Sequence, residues 1–291
     1  MTDLTPVAVV GAGRVGAALA ALLARRGVEI VGLWSRSEAG AAAASALVGQ
    51  PCAHGPFPAA IGRAALVVLA VRDAVLPAVA GALLDGGLLR SARVVLHCGG
   101  ARPAAEALAP LAGCGAARGT LHPLLAVADA ARGATLLGDA FFAVEGDPAA
   151  RDTARALVRD IGARHFELDG AQMTGYHAAA VLASNHPVAL WAAAAELLGQ
   201  AGVPPEMAPR ALATLARSVV DNVERLGPAA ALTGPVQRGD LDTVRRHLDL
   251  LEERDPTLAA LYRVCSLATL RLVDPQDEAA LAAIRGLLEG D

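Results

Sequence analysis

Lysine is absent from this chain of 291 residues: all 25 basic residues are arginine. Mechanisms built on a lysine Schiff base, a lysine general acid or a P-loop lysine are thereby excluded. Cysteine is scarce, and Cys52, Cys98, Cys114 and Cys265 show neither Cys-x-x-Cys pairing nor zinc-ligand spacing. Reduced thiols in a cytoplasmic protein and no metal site are expected. Charge is also low, at 19% of residues with a net of −4, and its scatter leaves no basic face for nucleic acid. Met1-Thr-Asp leads into an apolar run at Val7 without a basic region before it, so no signal peptide is expected. There is no internal repeat or low-complexity linker. The longest uncharged run, 177–195, carries Ser184, Asn185, His186 and Pro187 at its centre. That favours a buried helix of a soluble domain over a membrane span.

What is present is a chain 54% hydrophobic, long enough for roughly two domains with substantial cores. Its organising stretch is Val7-Ala-Val-Val10, then Gly11-Ala12-Gly13-Arg14-Val15-Gly16, then an Ala/Leu-rich run to about Arg25. An apolar run, a Gly-x-Gly-x-x-Gly turn and a small-residue helix spell the strand, turn and helix that hold a dinucleotide pyrophosphate. Gly11 permits the tight turn, Gly13 the approach of the phosphates and Gly16 close packing of the helix. The phosphates would meet the free N–H groups and positive dipole of the helix N-terminus.

The next strand, Val28–Trp34, ends in Ser35-Arg36-Ser37. An acidic residue about 20 residues past the glycines suits the ribose 2′-hydroxyl of NAD, whereas an arginine suits a 2′-phosphate. NADP is therefore favoured over NAD, with Arg36 forking onto the phosphate, Ser35 and Ser37 adding hydroxyl donors and Arg14 available on the same face. Further strands run through 65–71, 93–97, 119–123 and 140–145, followed by a helix at 149–161 and a short run at 164–168. The alternation predicts an α/β fold with a doubly wound parallel sheet over residues 1–168. Ligands lie beyond the carboxyl ends of such strands, so Val71, Arg72, Gly99 and Gly100 should border the nicotinamide half of the cofactor.

From about Gly170 only helical patterns remain, near 171–201, 205–226, 239–252, 256–273 and 276–289. An all-α second domain over 169–291 is expected, with Asp255-Pro256 and Asp274-Pro275 as caps or first-turn prolines. Two stretches there carry candidate chemistry. In Tyr176–Pro187, His177 and Ser184 lie about two turns apart on one helix face, with Asn185 beside Ser184. In Leu232–Asp240, Arg238 offers a fork to a substrate carboxylate, with Thr233 in the same turn and Asp240 as an N-cap.

With these stretches in hand, the chain resembles the two-domain proteins that join a Rossmann-like domain to a helical domain of unknown function, DUF2520. The matching pieces are Gly11–Gly16, Ser35-Arg36-Ser37, His97-Cys-Gly-Gly100, Leu121-His122-Pro123-Leu124, Tyr176-His177-Ala-Ala-Ala and Leu232–Asp240. That family looks like a relative of ketopantoate reductase, pyrroline-5-carboxylate reductase and the 6-phosphogluconate dehydrogenase group. The resemblance implies NADP-linked hydride transfer in a cleft between the domains. His177 falls where ketopantoate reductases carry a catalytic lysine, so a histidine would take the acid role. Leu121-His122-Pro123 is similar to the His-Pro segment of prephenate dehydrogenases, where a histidine acts on the substrate hydroxyl.

The expected function is an NADP-dependent oxidoreductase acting on a small carboxylate-bearing carbonyl, hydroxyl or imine compound. His177 or His122 would be the general acid/base, Ser184 and Asn185 would orient the substrate oxygen, and Arg238 and Thr233 would hold the carboxylate. His54, His165 and His247 have no assigned role. Two alternatives stand: an NADP-binding sensor or assembly protein without chemistry, and ketopantoate reduction at a lysine-free site. No membrane or nucleic-acid partner is expected, and a homodimer is expected by analogy.

Overall fold

The computed structural model describes residues 5–273 and 278–290. By packing, these residues form two compact units, 1–185 and 186–291. The expected cap at Asp274-Pro275 lies outside the described residues.

In the first unit, β1 (Val7–Val10), α1 (Arg14–Arg25), β2 (Ile30–Trp34), α2 (Glu38–Val48), β3 (Leu66–Leu69), α3 (Leu76–Asp85) and β4 (Val94–His97) alternate as the sequence predicts. They are followed by α4 (Ala104–Ala107), β5 (Ala117–Pro123), α5 (Ala130–Leu136), β6 (Phe141–Gly146), α6 (Pro148–Asp160) and β7 (Arg164–Glu167). The strands form one sheet in the order β2-β1-β3-β4-β5-β6-β7. Every pairing is parallel except that between β5 and β6. Side chains alternate across the sheet. Val7 and Val9 therefore join residues of α1, α5 and α6 in one core, while Ala8 and Val10 join those of α3 in another. With both faces covered, the central strands are continuous apolar runs rather than alternating ones.

Because β2 and β3 flank β1 on opposite sides, the connection reverses direction there. The crevice at the carboxyl ends of β1 and β3 is the switch point where such sheets take ligands.

Then come α7 (Met173–Gln200), α8 (Ala208–Leu226), α9 (Pro228–Ala231), α10 (Leu241–Arg254), α11 (Pro256–Leu270) and α12 (Glu278–Glu289). Among the described residues no strand follows β7. In the second unit, Val244, Leu248, Leu270, Ile284 and Leu288 of α10, α11 and α12 form a small core. Asp240 caps α10 by accepting from the Thr243 N–H, and Asp255 caps α11 through Thr257. Gly170–Gln200 is the one described helix long and apolar enough to cross a membrane. The sequence suggests that it is buried, but none of its most apolar window is buried inside the chain, and Leu182, Val188, Leu190 and Trp191 face outward.

Candidate active site

The glycine turn has the geometry its three glycines imply. Gly11 sits at φ +100°, and a Cβ there would lie 2.6 Å from Val71 Cγ1 and 2.7 Å from the Ala70 carbonyl oxygen. A Cβ at Gly16 would lie 2.2 Å from the Gly11 carbonyl oxygen, so only glycine lets α1 start this close to β1. At Gly13 a Cβ would meet nothing within 4 Å, so the backbone there faces open space. Gly13 caps α1 without a side-chain hydrogen bond, which leaves first-turn N–H groups for a ligand. These residues fit a dinucleotide pyrophosphate. Ala12 is buried, Arg14 is exposed and Val15 is half-buried.

At the carboxyl end of β2, Ser35 is buried and Arg36 is exposed. Ser37 caps α2 by accepting from the Gly40 N–H at 3.2 Å. A Cβ on Gly40 would stand 2.6 Å from Ser35 Oγ and 3.0 Å from Ser37 Oγ, so the two hydroxyls converge on the start of α2. Past β3, Val71 is half-buried and Arg72 exposed. These positions suit a 2′-phosphate beside a guanidinium and the two hydroxyls.

At the carboxyl ends of β4 and β5, Gly99 and Gly100 are buried. A Cβ on Gly99 would fall 2.1 Å from Asp73 Oδ1, and one on Gly100 would fall 2.7 Å from His122 Nε2. The Asp73 carboxylate and the His122 ring thus occupy the space side chains would need. His122 Nδ1 is hydrogen-bonded to the Tyr176 hydroxyl at 2.5 Å, with the rings edge-on. His177 stands next to them, its ring 6.2 Å from that of His122 between centroids, and Phe166 closes on Tyr176 from β7. Burial, reinforced by His177 and opposed by Asp73, brings His122 down to about 4. Burial pushes the Tyr176 phenol up to about 12. At neutral pH the pair is therefore an uncharged imidazole beside an intact O–H.

Ser184 and Asn185 lie about 10–12 Å further along α7 at its standard rise. The Ser184 hydroxyl donates to the Ala180 carbonyl at 2.6 Å and lies 3.0 Å from Asn185 Oδ1. Asn185 itself is exposed. Arg238 and Thr233 belong to the second unit and both are exposed. Among the described residues no group of His, Cys, Asp and Glu is placed to hold a metal. Burial pushes the Cys98 thiol up to about 12, which makes it a poor nucleophile. The reading from sequence missed Tyr176 as a chemical group. Its place beside His177 in the motif was the one signal available, because the contact with His122 spans 54 residues.

Residues 3–123 match the Rossmann-like domain family and residues 140–269 match DUF2520, a domain of unknown function. No curated protein matches in sequence. Among solved structures, a candidate NADP oxidoreductase of Bacteroides fragilis superposes with a TM-score of 0.72 at 24% identity, covering 91% of this chain and 97% of that one. The pyrroline carboxylate reductase of Plasmodium falciparum, solved with NADP bound, gives 0.60 at 14% identity, covering 98% and 99%. An imine reductase from Myxococcus stipitatus in complex with NADP+ gives 0.62 at 19%, covering 97% and 99%. At these identities the likeness is one of fold. Along the chain, the match to a Rossmann-like domain is thus followed by the match to DUF2520.

Proposed function

We propose that this protein is an NADP-dependent oxidoreductase transferring a hydride to or from a small carboxylate-bearing carbonyl, hydroxyl or imine compound. One observation carries the reading: the glycine turn, open at Gly13, and the His122–Tyr176 pair stand at the same carboxyl edge of one sheet. The NADP oxidoreductase-like, pyrroline carboxylate reductase and imine reductase folds support it. Residues 1–168 hold the cofactor and 169–291 serve substrate binding and dimerisation in this proposal. The bound nicotinamide supplies the hydride.

The chain's own part is orientation and proton transfer. With Nδ1–H donating to the phenol oxygen, His122 leaves the Tyr176 O–H free to give its proton to the substrate oxygen or nitrogen, and steadies the phenolate that remains. His177 is the second acid/base group in reach of the same pair. Cytoplasmic residence is part of this proposal, and four cysteines that are all free thiols support it. A homodimer is supported by the second unit, where Val188, Trp191, Leu212 and Val220 line an apolar groove of about 580 Å³ between α7 and α8.

The test is NADPH oxidation over a panel of keto and imino acids with wild type, His122→Ala and His177→Ala. NADPH binding should persist in both variants, with at least one losing turnover by about 10²-fold. Full turnover in both would remove the acid/base assignment. NADPH binding without turnover of any compound would favour a sensor.

A further inference from the structure

One rung of the sheet is polar where its neighbours are apolar. Val10, Leu69, His97, Thr120 and Glu145 pair in register across five adjacent strands, so their side chains share a face. Val10 and Leu69 belong to the core there, yet the next three positions hold an imidazole, a hydroxyl and a carboxyl group. His97 and Thr120 are wholly buried and Glu145 nearly so.

The hydrogen bonds have a single consistent direction. Thr120 Oγ1 donates its one hydrogen to Glu145 Oε2 at 2.9 Å. The His97 Nε2 contact with Thr120 Oγ1, also 2.9 Å, must then be donated by Nε2–H. Nδ1 is left as an acceptor, and it receives the Gly99 N–H at 3.2 Å. Both ends thus fix the same tautomer. Glu145 Oε2 also accepts the Ala104 N–H at 2.8 Å, while Asp73 Oδ2 accepts the Ala101 N–H at 3.3 Å. The loop 99–104 is held at its start, middle and end by side chains. Gly100 of that loop packs on the ring of His122, which follows Thr120 by two residues on the same face of β5.

An apolar rung would fill this space without the desolvation that buried polar groups incur. We infer that His97, Thr120 and Glu145 form a positioning relay that clamps the Gly99–Ala104 loop against His122 and thereby fixes the His122–Tyr176 pair. The relay rests on the oxidoreductase reading for its purpose, though not for its geometry. None of the three residues is a catalytic residue, since each acts through the loop.

The experiment uses the full chain with Thr120→Val, which keeps shape and removes the hydroxyl, and Thr120→Ser, which restores it. Long-range proton–nitrogen spectra of the imidazoles and amide exchange of residues 99–104 are measured alongside kcat and the NADPH dissociation constant. In Thr120→Val the relay predicts loss of the Nε2–H signature of His97, faster exchange at Gly99 and Gly100, and a shifted His122 resonance. It also predicts a fall in kcat of about tenfold or more, larger than any change in NADPH affinity. Thr120→Ser should recover all four. Wild-type exchange, wild-type His122 signals and undiminished kcat in Thr120→Val would overturn the proposal. If Thr120→Val fails to fold, Thr120→Ala, which also removes the hydroxyl, carries the same readings. If the wild type binds no NADPH, the oxidoreductase reading falls, while the exchange and imidazole measurements still decide whether the relay exists.

Discussion

Nδ1 of His122 and the hydroxyl of Tyr176, 54 residues apart in sequence, share a hydrogen bond at the carboxyl edge of the sheet. One comes from the end of β5 and the other from the first turn of α7. Tyr176→Phe deletes the O–H and little else. It should fold normally, bind NADPH as wild type does, and lose kcat by about 10²-fold. Stopped-flow turnover on the best compound of the panel checks this, and unchanged kcat would move the proton transfer to His177.

The buried histidines make a pH prediction. Burial is the main cause holding both His97 and His122 at about 4, against an ordinary 6.5. Between those values the unfolded chain binds more protons than the folded one, so stability is full above about 6.5 and falls as pH drops toward 4. For the wholly buried His97 alone the loss is on the order of 3 kcal/mol. Urea midpoints at pH 7, 5.5 and 4.5 should decline, and more shallowly in His97→Gln. A flat series would show that these rings are not held neutral by the fold. For the same reason kcat should show no His122 inflection near pH 6.5.

Gly13 and Gly16 should separate binding from stability. Gly13→Ala places a methyl in open space at φ −80°, so the melting temperature should stay within about 2 °C of wild type. NADPH affinity should nonetheless fall by about tenfold or more, because that space is where the phosphates approach. Gly16→Ala drives its methyl into the Gly11 carbonyl and should cost roughly 2 kcal/mol or more in stability. Thermal melts and NADPH titrations of both variants check the pair, and unchanged affinity in Gly13→Ala would displace the pyrophosphate from this turn.

These sites differ in how far the sequence exposes them. The glycine turn was legible because each of its glycines acts on neighbours within a few residues or on the adjacent strand. The alternation of strands and helices, and the change to helices alone, were legible through hydrophobic period. The antiparallel return of β6 was not, since a run such as Phe141–Val144 is apolar on both faces in either direction. Nor was the bond from His122 to Tyr176, or the rung from His97 to Glu145, because register between distant strands is set by tertiary packing. The exposure of α7 was hidden for a related reason: its composition suits burial, but composition does not say which surface does the burying.

That surface supplies a prediction of its own. Val220 and Trp191 are exposed beside the apolar groove of α7 and α8, an arrangement that association of two copies would cover. Light scattering should give twice the 29.3 kDa chain mass, and Val220→Glu should shift the protein toward monomer. A wild-type monomer at micromolar concentration would count against the homodimer.

The most direct test of the whole account is a fluorescence titration of the purified protein with NADPH and with NADH, in wild type and Arg36→Ala. The account predicts tight NADPH binding, weaker NADH binding, and a variant whose NADPH affinity drops to about that for NADH. Binding of neither nucleotide would contradict it, and equal binding of both, unaffected by Arg36→Ala, would contradict the choice of NADP.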